Sequence, residues 1–412
     1  MTSYWHPFAD MGAVEASGEL AIVRGEGAYV FDADGTRYFD ASAGLWYCNV
    51  GHGRAEIADA AARQLRELAA YNNSGDLTTP AASALAERVA ALSPDPASKV
   101  FFCSGGSDAV DSAAKLARRY WYELGRPDKT VVLSRTSAYH GVNGFGTSIG
   151  GIPPNREGFG PLLESAQVPW DSADALADTI DRLGADNVAA FFCEPVIGAG
   201  GIFPPPEGYL EQVRRICRER DVLFVADEVI TGFGRCGTWF ASERFELEPD
   251  LLTCAKGITS GYLPLGAVIV SPRVAEPFFH PGVMWRHGYT YSGHAAACAA
   301  ALANLDSIER EGLVGRAAEL EGELVETLGP LAEHPHVREV RAGTGALTAV
   351  GLATGDPAVP GRTLAELRRR SVLSRVLADG ALQVSPPFVT TRTDHEAHAE
   401  AIAGAVDAVF AG

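Results

Sequence analysis

From about residue 55 the chain alternates short, continuously apolar runs with longer amphipathic stretches. The runs occupy 99–103, 130–133, 188–193, 222–226, 251–254 and 267–270. A half-exposed strand alternates apolar with polar residues, whereas an unbroken run suits a strand covered on both faces. Helices are predicted between several of the runs, over 80–92, 107–122, 172–184 and 207–220. Strand-helix alternation of this kind predicts an α/β fold, with a mostly parallel mixed sheet covered by helices. Before residue 55 the pattern differs. Tyr29-Val30-Phe31 and Arg37-Tyr38-Phe39 flank Asp32-Ala33-Asp34-Gly35, a hairpin signal, and no helical period is evident. Residues 295–312 are alanine-rich and predict one long helix. Beyond 313 the pattern predicts a helix, strands at 337–341 and 346–352, a helix, a strand near 382–384 and a last helix over 394–410. That is a smaller α+β unit. The expected division is a segment 1–55 packing with the small unit, a large domain 56–312 and a small domain 313–412.

Composition narrows the class of function. The 412 residues exceed what one hydrophobic core supports, roughly 250–300. Apolar residues make up 47% and charged residues 21%, an ordinary globular mixture. A net charge of −18 disfavours nucleic acid and anionic membrane as partners. The start, MTSYWHPFAD, lacks a basic stretch followed by an apolar run, and no run is long enough to span a bilayer. A cytoplasmic protein is expected. The seven cysteines form no C-x-x-C pair, so buried reduced thiols are expected and a zinc site is not.

Three segments carry candidate chemistry. Ser104-Gly105-Gly106-Ser107-Asp108-Ala109 follows a predicted strand and opens a predicted helix. Glycines let a ligand approach the backbone, and the exposed helix N–H groups favour an anion. An ordinary small-residue helix cap has the same sequence. Phe224-Val225-Ala226-Asp227-Glu228-Val229 brings two carboxylates to the end of an apolar strand. Parallel sheets bind ligands at that edge, although a solvated strand end is the plainer reading. Thr253-Cys254-Ala255-Lys256-Gly257 ends another apolar strand in a lone lysine. A desolvated lysine is a nucleophile toward carbonyl carbon, whereas a snorkelling lysine is merely structural. Taken together, an anion site, a carboxylate and a lysine match the phosphate, the pyridine nitrogen and the aldehyde of pyridoxal 5′-phosphate.

With these segments in place, the chain resembles the class III, fold-type I pyridoxal-phosphate aminotransferases, in their ω-amino acid or amine:pyruvate branch. The resemblance runs over nearly the whole chain. It is carried by FVADEVITGFG with Arg235, Ala255-Lys256-Gly257, Ala138-Tyr139-His140-Gly141, Glu194-Pro195-Val196 and the segment His287 to His294. It implies that Lys256 bonds the cofactor and moves the substrate proton, and that Asp227 pairs with the ring nitrogen. Val229 and Tyr139 would cover the ring, with His140 beside Tyr139. Gly105, Gly106 and Ser107 would hold the phosphate, and Thr290 would complete the phosphate site of a partner subunit. Glu194 would help set the hydrogen bonds of Asp227. A homodimer with shared sites, paired further into a tetramer or not, is implied. Asp108, where the family usually has glutamate, and Gly105, where it often has Ser or Thr, depart from the pattern.

Substrate expectations rest on fewer residues. Pro386-Pro387-Phe388-Val389-Thr390-Thr391-Arg392 resembles the family segment with a carboxylate-binding arginine, so Arg392 is the expected grip. Members acting on ornithine or γ-aminobutyrate place a glutamate against that arginine and often a glutamine nearby. Here Ala199 and Ile230 stand instead. Phe8 and Trp46 match aromatics lining the substrate pocket, though core packing would also explain them. The implied reaction is ping-pong transfer from an amine or ω-amino acid to pyruvate, forming alanine. A diaminononanoate-type aminotransferase shares the Trp5-His6-Pro7 start, and a racemase or decarboxylase would share the cofactor residues. A non-catalytic cofactor-binding protein fits poorly with an intact Lys256 and Asp227.

Overall fold

The structure is a computed structural model and describes residues 2–411. Its centre is a seven-stranded sheet. In spatial order the strands are Lys99–Cys103, Gly266–Val270, Leu251–Cys254, Leu223–Asp227, Val188–Cys193, Val131–Arg135 and Ser165–Val168. Six run in one direction. Gly266–Val270 runs against both its neighbours, making the sheet mixed.

The unbroken apolar runs have the expected cause. Along Leu223–Asp227, Phe224 and Ala226 enter the core on one face, while Leu223 and Val225 enter the core on the other. Along Val188–Cys193, Phe191 and Cys193 take the first face and Ala190 and Phe192 the second. Side chains alternate across a strand, so every residue must be apolar when helices cover both faces. The second face is covered by the helix Gly106–Glu123, through Ala109, Val110, Ala113 and Ala117. Small side chains there let the helix backbone lie close to the sheet. The strand Ser165–Val168 lacks a strong apolar run and was not expected.

The first residues differ in part from the sequence reading. The hairpin forms from Tyr29–Asp32 and Arg37–Asp40. A short helix, Met11–Ser17, precedes it, started by the Asp10 carboxylate accepting from the Ala13 amide at 3.1 Å. Its residues are not buried, so it carries no apolar periodicity to read. The hairpin joins the C-terminal part directly: Phe39 and Asp40 pair in parallel with Val372 and Leu373. A separate antiparallel sheet holds Val337–Arg341, Thr348–Leu352 and Leu382–Val384. Arg235 binds distant segments together. Buried, it donates to the Pro386 carbonyl and to Asn49 Oδ1, both at 2.6 Å, while Asn49 donates to the Phe233 carbonyl. No helix among the described residues is long and apolar enough to cross a membrane.

The terminal helix, Arg392–Ala411, buries His395 and His398. Burial pushes their pKa values down from 6.5, to about 4 and about 3 respectively. Glu323, Asp394 and Arg316 act on His395, and His395 acts on His398. The folded pKa lies below the unfolded one, so the associated stability is complete above the unfolded value. It is lost as pH falls through 6.5 toward 4, because the unfolded chain takes up protons first. The urea midpoint should therefore drop between about pH 7.5 and about pH 5. His398→Leu should flatten that drop; an unchanged slope would acquit the histidine.

Candidate active site

A cavity of about 1010 Å³ opens where strands of the large sheet end. Gly106, Ser107, Tyr139, His140, Glu194, Asp227, Val229 and Lys256 all line it, from segments far apart in sequence. Phe8 and Trp46 also line it. Gly105 lies just outside the wall and has extended backbone, φ 178°.

Strand alternation separates the two carboxylates read from the sequence. Asp227 points into the cavity. Glu228 turns the other way and accepts from Thr231 Oγ1 and from the Ala241 and Ser242 amides at 2.5–3.0 Å. Burial raises its pKa to about 7. Glu228 is thus a structural anchor that holds the helix Ala241–Arg244, whereas Asp227 belongs to the site.

Asp227 is fixed from several directions. Its Oδ1 accepts from the Val229 amide at 3.1 Å and from Thr253 Oγ1 at 3.0 Å. His140 Nδ1 lies 2.7 Å from Oδ2, and both side chains are buried. Against a carboxylate acceptor Nδ1 is the donor, and Nε2 has no hydrogen-bond partner among the described residues. Glu194 was expected to set the hydrogen bonds of Asp227, and here the structure corrects the reading. Its two oxygens accept from the Tyr139 amide, at 3.0 Å, and from the Gly198 amide, at 2.9 Å. Glu194 therefore fixes the turn bearing Tyr139 and His140, and reaches Asp227 only through the field.

Lys256 follows the strand Leu251–Cys254 in a strained backbone, φ 45°. Phe8, Trp46 and Ser137, also on the cavity wall, have positive φ as well. L-residues adopt that region at a cost, and such positions gather at functional sites. Burial lowers the Lys256 pKa to about 8, against the pull of Asp227 and Glu194, and Arg375 pushes the same way. Its ammonium group sits 5.7 Å from the Trp46 ring centre.

The other end of the cavity supplies the phosphate-type cradle. Gly106 begins an 18-residue helix, so free backbone N–H groups face the cavity. A Cβ at Gly106 would lie 2.7 Å from Val229 Cγ1. The glycine is required because Val229 packs against that turn. Ser107 Oγ accepts from the Val142 amide at 3.2 Å. Together these residues offer an amine, an acid, an anion cradle and flat apolar walls, which fits pyridoxal phosphate.

The comparisons agree with that fit. The family model for class-III aminotransferases matches residues 12–406. This chain belongs to the class-III aminotransferases. It is therefore an aminotransferase, and its family depends on pyridoxal phosphate. The chain is 37% identical to a putrescine–pyruvate aminotransferase of Pseudomonas aeruginosa, over 93% of the chain and 89% of that protein. It is 38% identical to an omega-amino acid–pyruvate aminotransferase of Pseudomonas putida, over 78% and 76%. An amine transaminase from an uncultivated Pseudomonas species, solved in its PLP-bound form, superposes with a TM-score of 0.93. That pair is 39% identical and covers 100% of this chain and 99% of the other.

Two named residues lie off this cavity wall, Thr290 having been expected in a partner subunit's site. Thr290 is exposed and does not line this chain's own cavity. Arg392 is overturned as the pocket arginine. It opens the terminal helix at the surface, bonded to Glu326 at 2.6 Å and Glu396 at 3.1 Å. The helix start directs it to solvent, where two carboxylates already engage it. The cavity's arginine is Arg375, which sequence reading missed. It stands 5.1 Å from the Trp46 ring centre, and burial lowers its pKa. Ser374-Arg375-Val376 has no pattern that separates it from other loop arginines.

The geometry predicts a pH dependence. The Lys256 amine is increasingly neutral as pH rises through about 8, so its capture of an aldehyde should rise and level off above that. Borohydride trapping followed by peptide mapping reads the rate. A profile that keeps rising to about pH 10.4 would mean an ordinary exposed lysine.

Proposed function

We propose that this aminotransferase moves an amino group from a primary amine or ω-amino acid to pyruvate, forming alanine in a ping-pong cycle. The observation that carries the reading is Arg375 on the cavity wall, half-buried and flanked by Trp46 and Tyr139. A guanidinium there can grip a substrate carboxylate. Ala199, which supplies no carboxylate to compete for it, lies alongside: its carbonyl accepts from the Ala378 amide at 3.0 Å. Ile230 lines the same cavity, apolar where members acting on ornithine or γ-aminobutyrate often have glutamine. Relatives named for pyruvate as acceptor support the choice.

Pyridoxal phosphate, when bound, supplies an aldehyde for the amine and a ring that takes up electrons. Gly106 and Ser107 would hold its phosphate, Asp227 its ring nitrogen, and Val229 and Tyr139 its faces. The chain's own residues do the rest. Asp227, oriented by His140 and Thr253, keeps a proton on its partner nitrogen. Lys256 Nζ, with its lowered pKa, takes and returns the substrate proton. Buried Trp46 excludes water on the amine side, and Phe8, itself exposed, borders the same wall. Thr290, exposed and not on the wall of its own cavity, suits a role in the site of a second copy. A cytoplasmic homodimer is the assembly we propose.

Adding an ω-amino acid or aryl amine to the yellow holoenzyme should bleach its visible absorbance. Pyruvate should restore it, with alanine formed. An unbleached band would sink the substrate assignment, and Lys256→Ala should abolish turnover. Gly106→Ala should weaken cofactor affinity about tenfold, since overpacking costs about 1–3 kcal/mol. Val229→Ala in the same chain should relieve the clash and recover part of that loss, the rest going with the ring contact Val229 itself makes. Arg375→Ala should raise KM for pyruvate at least about tenfold, the worth of a charge-assisted bond.

A further inference from the structure

The loop carrying Arg375 is a wall with space on both sides. Residues 374–379 face the large cavity, and residues 376–380 also face a second cavity of about 530 Å³, bounded by Arg338, Leu352 and Pro360. Leu377 anchors the segment in the core, and the half-buried residues around it, cavity on either side, depend on polar ties. Several close the loop on itself: the Leu377 amide donates to the Ala381 carbonyl, at 2.8 Å, and the Gly380 amide to the Leu377 carbonyl, at 2.9 Å. Three ties lead outward, the loosest a pairing of Asp379 with Arg338 at 4.0 Å. The Ala378 amide donates to the Ala199 carbonyl at 3.0 Å, and Asp379 pairs with Arg341 at 2.5 Å.

Arg341 ends the strand Val337–Arg341 and does not line the large cavity. Its Nε donates to the Gly201 carbonyl at 2.9 Å, and its guanidinium lies over the Phe203 ring at 4.6 Å. Its remaining nitrogen contacts Glu339 at 2.7 Å. One planar group thus grips the loop through Asp379 and the facing wall through Gly201. Both partners are mostly shielded from water, so the pair is more than a surface ion pair. Glycine at 201 leaves room for this packing, since a Cβ there would lie 2.5 Å from Phe203 Cζ and 3.1 Å from Asp379 Cγ.

We infer that Arg341 is a positioning residue for carboxylate recognition: by bracing Asp379 against Gly201, it fixes the loop from which Arg375 meets the substrate. The inference rests on the reading that Arg375 receives the substrate carboxylate. The brace acts on one substrate feature and not on the chemistry at Lys256. It therefore separates keto acids and ω-amino acids from amines that lack a carboxylate.

The test uses the holoenzyme. Arg341→Gln should raise KM for pyruvate about fivefold, the worth of roughly 1 kcal/mol. KM for an amine without a carboxylate should change by less than about twofold, because that substrate never meets Arg375. Arg341→Lys, keeping the charge, should recover part of the loss. Hydrogen exchange of the 376–381 amides should quicken in Arg341→Gln. Equal rises for both substrates, a fall in kcat alone, or no change in the pyruvate KM would each overturn the inference. Arg375→Ala, run in parallel, tells the two failures apart. If it raises the pyruvate KM while Arg341→Gln does not, only the brace is wrong. If it leaves that KM unaltered, the carboxylate reading is wrong and the brace with it. Should Arg341→Gln fail to fold, Asp379→Asn breaks the same pair from the loop side and must raise the pyruvate KM.

Discussion

Partial burial of the Lys256 amine at the cavity wall is the constraint on which the rest of the site depends. A charged amine resists burial, so its pKa falls, to about 8 here. The fold achieves this by placing Lys256 after a fully buried strand, on a strained backbone, with Trp46 closing over it. Asp227 and Glu194 oppose the shift by favouring the charged form. The balance leaves an amine that can change protonation near pH 8.

That balance needs rigid carboxylates. Asp227 is held by His140, Thr253 and the Val229 amide, and Glu194 by two backbone amides. The bonds draw on the strand bearing Thr253 and on the separate turns bearing Tyr139 with His140, Val229 and Gly198. The electrostatics at Lys256 are therefore a property of the sheet. Beyond the sheet, Arg235 ties Asn49 near the N-terminus to Pro386 near the C-terminus, so the walls carrying Trp46 and Arg375 share one buried anchor. A guanidinium suits the task, since its planar fork can satisfy several acceptors at once.

Much of this was legible in the chain. The runs at 99–103, 188–193 and 251–254 are strands with those same limits, because two-sided burial demands continuous apolar residues. The long alanine-rich helix and the terminal helix were equally clear. Less legible were elements with weak burial signals: the exposed helix Met11–Ser17 and the edge strand Ser165–Val168. The adjacent carboxylates Asp227 and Glu228 also looked alike, since only the facing of the strand end decides which one meets the cavity.

By itself the sequence determined the layered α/β architecture and the nature of the chemistry, because burial on two faces and a lone lysine after an apolar strand leave marks in local residue order. It also placed Gly106, Tyr139, Asp227 and Lys256 in the segments that the fold brings together. Only the tertiary structure decided which arginine faces the cavity. Arg392 and Arg375 both lie near the C-terminus, and neither has a local pattern that reveals its surroundings. Arg392 meets Glu326 and Glu396 at the surface, whereas Arg375 is carried inward by a loop braced from Arg341 and Gly201. A side chain's partners across a cavity depend on how distant segments pack, and that information is not local to the chain.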